Sequence, residues 1–281
     1  MFLTGPPGAA GSTLRISRGE HRIVDGSSVL ATDPAMRAYL TDMVAPYGLA
    51  LHEELLESGA GHSYGELAEP LIEAALPDGD PVDLLVLAYG IHDIRLGRAT
   101  ATYLSDRCPG NPLAFAVCDQ GTAAAFSALK LINAYAATGA CRRALLIVAE
   151  QSAVHYELAT QVPVPDRNAA VALLLEESAG GEPVSVRQHT EVTPDQADAL
   201  LAKEIAGLSG AITVILGGGL KFTESIVDDV RVGPAGQPYT GVWCELSAGL
   251  TDWAGGRQVL VADYDAAVGY FCTAAMGMGG R

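Results

Sequence analysis

The chain has 281 residues, of which 49% are hydrophobic and 18% are charged, so it is long enough to bury a large core. Its formal net charge of −16 argues against binding to a nucleic-acid backbone, which requires basic surfaces. No long uncharged apolar run stands apart from the core pattern, so we expect no membrane span. Residues 1–17 also lack the basic and apolar regions of a signal peptide.

The cysteines give no sign of a disulfide framework or a metal site. Their number is odd, they form no CxxC pair, and no cluster of cysteine and histidine has zinc-binding spacing. Cysteine in apolar surroundings is most often a small core residue. We expect a cytoplasmic, reduced protein with no structural metal and no cofactor. The cysteines are Cys108, Cys118, Cys141, Cys244 and Cys272.

The first third of the chain is mainly helical in its pattern. Residues 1–30 are rich in Gly, Pro and Ser, and we expect a trimmed hairpin or an edge segment there. Asp33 can cap a helix whose first residue is Pro34. A second helix is expected at 50–56. Residues 64–76 place Leu and Ile on one face and Glu elsewhere, which is the pattern of an amphipathic helix.

A buried strand, a loop and a short helix follow. Residues 82–88 are almost all apolar, which predicts a strand inside a sheet. The loop at 89–94 contains His92 and Asp93, and these residue types predict a solvated pair. Residues 98–104 are expected to form a short helix.

The middle of the chain is a strand, a turn, a helix and a second strand. Leu113–Val117 is an apolar run that predicts a strand covered on both faces. Turn-forming residues at 118–121 interrupt it, and Thr122 opens an almost uncharged helix that we expect to be buried all round. Gly139 fits a left-handed helix stop. Residues 144–148 then predict a second buried strand.

The remaining elements are shorter. A polar excursion that contains His155 follows Glu150. Three glycines after residue 216 indicate a tight exit from a strand, because no phosphate-loop motif follows them. In chain order the pattern predicts strands at 168–175 and 184–190, a helix at 195–206, a strand at 211–216, a helix at 243–250, and a terminal antiparallel pair at 258–262 and 268–275.

Three motifs of the central unit recur in one known family. They are the strand Ala114–Val117 with its following helix, Thr138-Gly139-Ala140, and Val148-Ala149-Glu150. They resemble the thiolase superfamily and, within it, the β-ketoacyl-acyl carrier protein synthase III branch. The helix, turn and strand over 64–88 and the terminal strand pair resemble the same family.

The resemblance implies the fold and its organisation. We expect an α/β protein with a thiolase-like, layered αβαβα fold that has two repeated halves, of which the C-terminal half is shortened. No long linker separates two domains. We therefore expect a single thiolase-fold unit over residues 1–281, with approximate halves at 1–180 and 181–281.

The resemblance also assigns three catalytic positions. The family uses a nucleophilic cysteine, together with a histidine and an asparagine that help to stabilise an enolate. The cysteine position falls on Gly121, or on Thr122 if one residue is inserted in the helix. The histidine position falls on 216–219 and the asparagine position on 238–241.

The last third of the chain lacks both of the other catalytic residue types. The last histidine is His189 and the last asparagine is Asn168. All three catalytic roles are therefore vacant, which argues against Claisen condensation by this chain alone. We expect no catalytic residue.

If the chain is active, its candidate residues lie beside the vacant cysteine position. Cys118 is interpreted as a buried core thiol or as a relocated nucleophile with His155 or His92 as its base. Asp119 either caps the helix or reaches into the pocket of a partner. Thr122 either bonds the start of the helix or serves as a poor nucleophile.

Of three functional hypotheses, a non-catalytic partner is favoured. In the synthase family, the strand that matches Leu113–Val117 pairs with its twin across a dimer axis. A chain that keeps this strand without the triad resembles the silent subunit of the two-chain alkylquinolone synthase. Its partner would be a catalytic synthase III-like subunit, in a heterodimer or heterotetramer. That subunit would engage acyl carrier protein or acyl-CoA in fatty-acid or polyketide-type condensation of secondary metabolism.

Two alternatives remain open. One is an acyltransferase or thioesterase-like enzyme that uses Cys118 or Thr122 on an acyl-thioester. The other is a binding module whose pocket holds an acyl-thioester or a small product. Neither nucleic acid nor a membrane is expected as a partner.

Overall fold

The structure is a computed structural model that describes residues 13–158, 162–177, 183–222, 227–253 and 256–278. Within these residues the chain forms ten strands and seven α-helices. In chain order the elements are β1 (Leu14–Val24), α1 (Pro34–Val44), a 3₁₀ turn (Ala45–Tyr47), α2 (Glu53–Ser58), α3 (Tyr64–Ala75), β2 (Leu84–Tyr89), α4 (Thr100–Arg107), β3 (Leu113–Val117), α5 (Ala123–Ala137), β4 (Arg143–Glu150), β5 (Asn168–Glu177), β6 (Ser185–His189), α6 (Pro194–Ala206), β7 (Ile212–Leu216), β8 (Asp229–Val232), α7 (Gly241–Gly249), β9 (Gln258–Asp265) and β10 (Tyr270–Gly277).

Two five-stranded sheets repeat one topology. The first has the order β1-β5-β4-β2-β3, and the second has the order β6-β10-β9-β7-β8, which is the same order five strands further along the chain. In each sheet one strand, β2 or β7, pairs in parallel with two neighbours. Both β5 and β10 are antiparallel to their neighbours. The two repeated halves are therefore present, and the described part of the second half has no counterparts of α1, α2 and α4.

Helices separate and cover the two sheets. The helices α5 and α7 lie between them, where the rings of Phe126 and Trp243 have centroids 4.9 Å apart. The outer face of the first sheet is covered by α3 and α4, and that of the second by α6. The result is the expected five-layer αβαβα arrangement. Along the described ranges, none of the helices is long and apolar enough to cross a membrane.

The repeat extends to the local structure of the outer helices. In α3, Ser63 and Glu66 form a capping box in which each side chain accepts a hydrogen bond from the backbone N–H of the other. In α6, which occupies the same place in the second half, the side-chain oxygen of Gln196 accepts hydrogen bonds from the amide and the hydroxyl of Thr193. Such caps satisfy donors that a helix start leaves unpaired, so they fix where each helix begins.

Most predicted elements are present with shifted ends. Asp33 caps α1 with Pro34 in its first turn, and Gly139 ends α5 in the left-handed conformation with φ +73°. The segment at 1–30 contains the edge strand β1, while residues 1–12 lie outside the described ranges. The terminal strands pair in antiparallel fashion as β9 and β10.

The predicted burial of the central strand is wrong. The strand β3 is not covered on both faces, because it lies at the edge of the first sheet. Leu113 is 55% exposed, and Ala116 is also exposed. An apolar run alone does not distinguish a strand inside a sheet from one whose free edge faces another surface.

The predicted burial of the helix that follows is only partly right. The first two turns of α5 are buried, but Leu131, Ala134 and Ala137 are exposed. These residues share a face with Lys130 at helical spacing, so the last turns present one side to solvent.

Candidate functional site

A cavity of about 620 Å³ lies between the N-terminal ends of α5 and α7. Its walls include the segments that follow β4, β7, β8 and β9, so both repeated halves contribute to it. Crevices beyond the carboxyl ends of strands are the common place for sites in α/β sheets. The cavity is therefore the candidate functional site.

The positions that the resemblance assigns to catalysis meet at this cavity. Thr122, Gly218, Gly219 and Pro238 all line it, and they come from three separate parts of the chain. Among the described residues, no cysteine, histidine or asparagine lines the cavity. Its charged side chains are instead two carboxylates.

The carboxylate of Asp265 occupies the space beside the cysteine position. Its Oδ2 accepts a hydrogen bond from the Thr122 amide at 3.1 Å, and its Oδ1 accepts one from the Ala267 amide at 3.0 Å. Gly121 has φ +54°, and a Cβ on it would collide with Asp265 Oδ2. Glycine is thus required at 121 both by the backbone conformation and by the carboxylate.

Asp263 occupies the space beside the histidine position. Its Oδ1 accepts a hydrogen bond from the Tyr264 amide at 2.8 Å, and a Cβ on Gly217 would collide with the same oxygen. Burial, together with the nearby charge of Asp265, raises the pKa of Asp263 to about 7. Two acidic residues at the end of β9 therefore fill space at two of the three positions that the resemblance assigns to catalysis.

The asparagine position belongs to a closed hydrogen-bond network around Glu150. This carboxylate, at the end of β4, is fully buried and accepts hydrogen bonds from the amides of Tyr239 at 2.8 Å and Thr240 at 3.2 Å. The Thr240 hydroxyl and the Gln237 side-chain amide donate to it as well. Burial raises the pKa of Glu150 to about 7 although these bonds favour the ionised form. Glu150 therefore fixes the start of α7.

Two predictions for the start of α5 are wrong. Asp119 does not cap the helix: it is exposed, has φ +60°, and accepts a hydrogen bond from Cys118 Sγ at 3.2 Å. The Thr122 hydroxyl does not bond the helix start either, because within the described ranges it has no hydrogen-bond partner. Asp265 takes the capping role from a distance of 143 residues along the chain.

Cys118 is not a buried core residue, and its surroundings do not favour the thiolate. Its side chain is half-buried, which contradicts the expected core thiol. Burial raises the pKa of this thiol, and the hydrogen bond to Asp119 raises it further. Since the thiolate is the reactive form of cysteine, both effects oppose nucleophilic attack by Cys118.

His92 and Asp93 do not form a solvated pair. Asp93 is buried and accepts hydrogen bonds from the amides of Tyr64 at 3.1 Å and Arg95 at 3.2 Å. His92 is half-buried and stacks on Tyr156 with ring centroids 5.4 Å apart. Burial lowers the pKa of His92.

His155 is part of the structural framework. It is buried, its Nε2 lies 2.9 Å from the carbonyl oxygen of Ala60, and burial lowers its pKa. In the described structure no hydrogen bond joins either His155 or His92 to Cys118. Among the described residues, no group of three His, Cys, Asp or Glu side chains could hold a metal ion.

The two acidic residues that dominate the site were not predicted from the sequence. Asp263 and Asp265 lie at the end of β9, just beyond the stretch 258–262 that was predicted as a strand. The available signal was the Asp-Tyr-Asp sequence at the end of a buried apolar run, where a carboxylate has few ways to reach water. Their contacts with Gly121 and Gly217 were not predictable from spacing.

Comparison with known proteins gives a clear result for the structure only. No protein-family model and no curated protein matches the sequence. Similar solved structures include AbyA1, a tetronic acid condensing enzyme, which is 18% identical in sequence and superimposes with a TM-score of 0.64. The match covers 94% of this chain and 100% of that chain. A 3-oxoacyl-(acyl-carrier protein) synthase from Burkholderia xenovorans is 16% identical, with a TM-score of 0.63 and coverage of 96% and 95%.

An OleA variant from Xanthomonas campestris is 13% identical, with a TM-score of 0.61 and coverage of 94% of this chain and 98% of that chain. At such low identity these likenesses establish the fold and nothing finer. The chain therefore has the thiolase-like fold of ketosynthase III-type condensing enzymes.

Proposed function

We propose that this chain, which has the thiolase-like ketosynthase III fold, is a non-catalytic subunit that supports a catalytic synthase III-like subunit in acyl condensation. The two would form a heterodimer or heterotetramer. The catalytic subunit would engage the acyl carrier protein or acyl-CoA. The observation that carries the proposal is the presence of Asp263 and Asp265 at two positions where the fold would otherwise hold reactive groups.

These carboxylates support a loss of catalysis beyond the loss of three residues. A cysteine placed at Gly121 would meet Asp265, and a histidine placed at Gly217 would meet Asp263. Reversion of the reactive positions alone would therefore not restore a working site. The two carboxylates also place negative charge where an enolate or oxyanion would have to be stabilised, which opposes that chemistry.

A second observation concerns the four edges of the two sheets. Edge strands expose unpaired N–H and C=O groups, and charged side chains commonly protect them from other chains. Three of the edges here carry charged residues, whereas the β3 edge carries none. The charged residues are Arg15, Arg18, Glu20 and Arg22 on β1, Arg187 on β6, and Asp229 and Arg231 on β8.

The unprotected edge continues into an apolar surface. Phe115 packs on Tyr135 of α5 with ring centroids 6.0 Å apart, and the exposed Leu131 lies one helical turn before Tyr135. We call Leu113, Phe115, Ala116, Leu131 and Tyr135 the β3 edge surface. Its free backbone groups and apolar side chains fit the edge strand of a second, related subunit, which supports pairing across this edge.

A matched pair of variants tests this pairing. Leu113→Lys changes the β3 edge at a side chain that is 55% exposed, and Val232→Lys changes the β8 edge at one that is 59% exposed. The chain is co-expressed with a cysteine-bearing synthase III-like protein of the same organism, beginning with any encoded beside it. Complex formation is measured by co-purification and light scattering.

We expect a complex with the unmodified chain, its loss with Leu113→Lys, and its retention with Val232→Lys. A stable homodimer that ignores every such synthase would contradict the proposal. The same conclusion would follow if the two lysine variants behaved alike.

A further inference from the structure

A second cavity, of about 300 Å³, lies on the outer face of the first sheet beside α4. Its floor includes three strand residues with small or apolar side chains, Leu87, Ala114 and Ala116. Its rim is formed by the loop that follows β2 and by the first turn of α4. It shares no lining residue with the cavity between α5 and α7. A cavity of this size can hold a small molecule.

Arg98 lines this second cavity with a guanidinium group that lacks an acceptor. Its Cζ lies 3.8 Å from the centre of the Tyr103 ring, and a Cβ on Gly65 would collide with Nη2. Nε and Nη2 are enclosed and make no hydrogen bond to any described residue. Nη1 has no partner among these residues either, but it is not one of the enclosed atoms, so it is the nitrogen that remains accessible. Arg98 therefore brings an unpaired positive charge to the cavity wall.

The start of α4 adds hydrogen-bond donors to the same wall. Ala99 occupies the N-cap position, where it has no side-chain acceptor to offer, and residues 100–102 line the cavity. In the described ranges, the amides of residues 100–102 find no hydrogen-bond acceptor. Free amides at a helix start carry a partial positive charge and favour an anion. The helix start and Arg98 therefore favour the same kind of ligand.

The other charged side chains of the wall leave this positive charge in excess. Arg95 Nη1 lies 3.9 Å from Asp33 Oδ2, which is beyond hydrogen-bond distance. Asp93 is buried, and its carboxylate already accepts hydrogen bonds from the amides of Tyr64 and Arg95 and from the Thr100 hydroxyl. One satisfied carboxylate thus stands against two guanidinium groups and a helix start.

We propose that this second cavity binds a small organic carboxylate. The two carboxylate oxygens would accept hydrogen bonds from Arg98 Nη1 and from the free amides at the start of α4, and such charge-assisted bonds are strong. A short apolar body would contact Leu87, Ala114 and Ala116. An amine with the same body would be repelled by the two guanidinium groups.

The test is a ligand-observed NMR titration of the purified chain at pH 8 and constant ionic strength with isovalerate, isoamyl alcohol and isoamylamine, which share one branched apolar body. We expect isovalerate to bind about tenfold more tightly than the alcohol, and the amine to show no binding. Inorganic phosphate has no apolar body and is expected to bind more weakly than isovalerate. The assay needs neither a partner subunit nor an acyl donor, so its failure is separate from failure of the proposed function.

Two variants and a control assign the binding to this cavity. Arg98→Met keeps the side-chain stem, removes the charge, and is expected to weaken isovalerate binding about tenfold. Thr102→Glu places a carboxylate at an exposed position in the first turn of α4, where an acidic residue favours folding, and is expected to weaken binding as much. Arg142→Met, at a side chain that is 75% exposed, removes the same charge elsewhere and should bind like the unmodified chain. Thermal unfolding verifies that each variant is folded.

Five results would overturn the inference. Three concern the ligands: equal binding of isovalerate and its alcohol, tighter binding of phosphate than of isovalerate, and no binding by isovalerate or by shorter and longer acids of the same type. The other two concern the variants: unchanged isovalerate affinity in both Arg98→Met and Thr102→Glu, and a loss in Arg142→Met as large as that in Arg98→Met.

Discussion

The two helices between the sheets begin in opposite ways. The start of α7 is closed by Glu150, a fully buried carboxylate that accepts four hydrogen bonds from three residues. The start of α5 is capped by Asp265, which accepts one hydrogen bond from that helix and two from its own turn. Beside the second start lie the cavity and the unpartnered Thr122 hydroxyl.

The two caps are related by the repeat. Glu150 ends β4 of the first half and reaches the helix of the second half, whereas Asp265 ends β9 of the second half and reaches the helix of the first. Each half therefore supplies, from the end of a strand, a carboxylate that accepts a hydrogen bond at the start of the central helix of the other half. Glu150 satisfies four donors at the start of α7, whereas the start of α5 keeps the Thr122 hydroxyl without a partner among the described residues.

The largest expected effect is at the closed helix start. Glu150→Ala removes the acceptor for the Tyr239 and Thr240 amides and for the Thr240 hydroxyl, which are then buried without an acceptor, while the Gln237 side-chain amide keeps its bond to Thr240 Oγ1. We expect the free energy of unfolding to fall by roughly 3–5 kcal/mol, measured by urea denaturation. Glu150→Gln, which keeps an acceptor oxygen, should lose less than half as much. A loss below about 1 kcal/mol for Glu150→Ala would contradict the structural role of this network.

A smaller loss is expected at the open helix start. Asp265→Ala removes the acceptor for the amides of Thr122, Ala267 and Val268, but the bonds to the last two are only partly buried. We expect a loss of about 1–2 kcal/mol in the same urea experiment. If Asp265→Ala lowers the free energy of unfolding as much as Glu150→Ala does, the proposed difference between the two helix starts is wrong.

Stability is expected to fall as the pH rises towards neutrality. Burial raises the pKa values of Asp263 and Glu150 to about 7 from ordinary values of 3.8 and 4.5. The protonated forms therefore contribute stability that is fully present below the ordinary values and is lost as the pH rises through about 7. The side chain of Asp263→Asn cannot ionise. We therefore expect the free energy of unfolding of this variant, compared with that of the unmodified chain, to be higher at pH 8 than at pH 5 by roughly 1–2 kcal/mol.

The control for this pH dependence is Asp78→Asn, which should follow the unmodified chain at both pH values. Urea denaturation at pH 5 and pH 8 provides the measurement. If Asp263→Asn loses stability at pH 8, the carboxylate is better satisfied than the contacts of Asp263 indicate.

The smallest effect is expected at Thr122. Thr122→Val replaces an unpartnered hydroxyl with a methyl group of similar size, so no hydrogen bond within the described structure is lost. We expect a change of less than about 1 kcal/mol in the free energy of unfolding, towards greater stability. A loss larger than this would mean that the hydroxyl does have a partner in the folded chain.

Much of the fold could be predicted from local patterns. Hydrophobic periodicity located the helices, and the capping signal at Asp33 and the glycine at Gly139 placed helix ends correctly. The edge strand β8 was missed, because Asp229–Val232 has only four residues, two of them charged. The edge position of β3 was also missed, because an apolar run contains no information on what lies beside it.

The chemistry of the site was less accessible to sequence reasoning. The positions at Gly121 and at 216–219 that the resemblance assigns to catalysis could be located in the sequence, since they are local. The groups that fill them come from residues 263–265, and the bond from Thr122 to Asp265 spans 143 positions. Such long-range contacts depend on how the two halves are packed, which no local pattern encodes.

The most direct test of the central claim is the intact mass of the purified chain after incubation with acetyl-CoA and octanoyl-CoA. The claim is that carboxylates have replaced the reactive groups of a condensing-enzyme fold. It predicts an unchanged mass, because the surroundings of Cys118 raise the pKa of its thiol and no histidine lines the cavity beside Thr122 among the described residues. A covalent acyl adduct that is lost in Cys118→Ala or in Thr122→Val would contradict it.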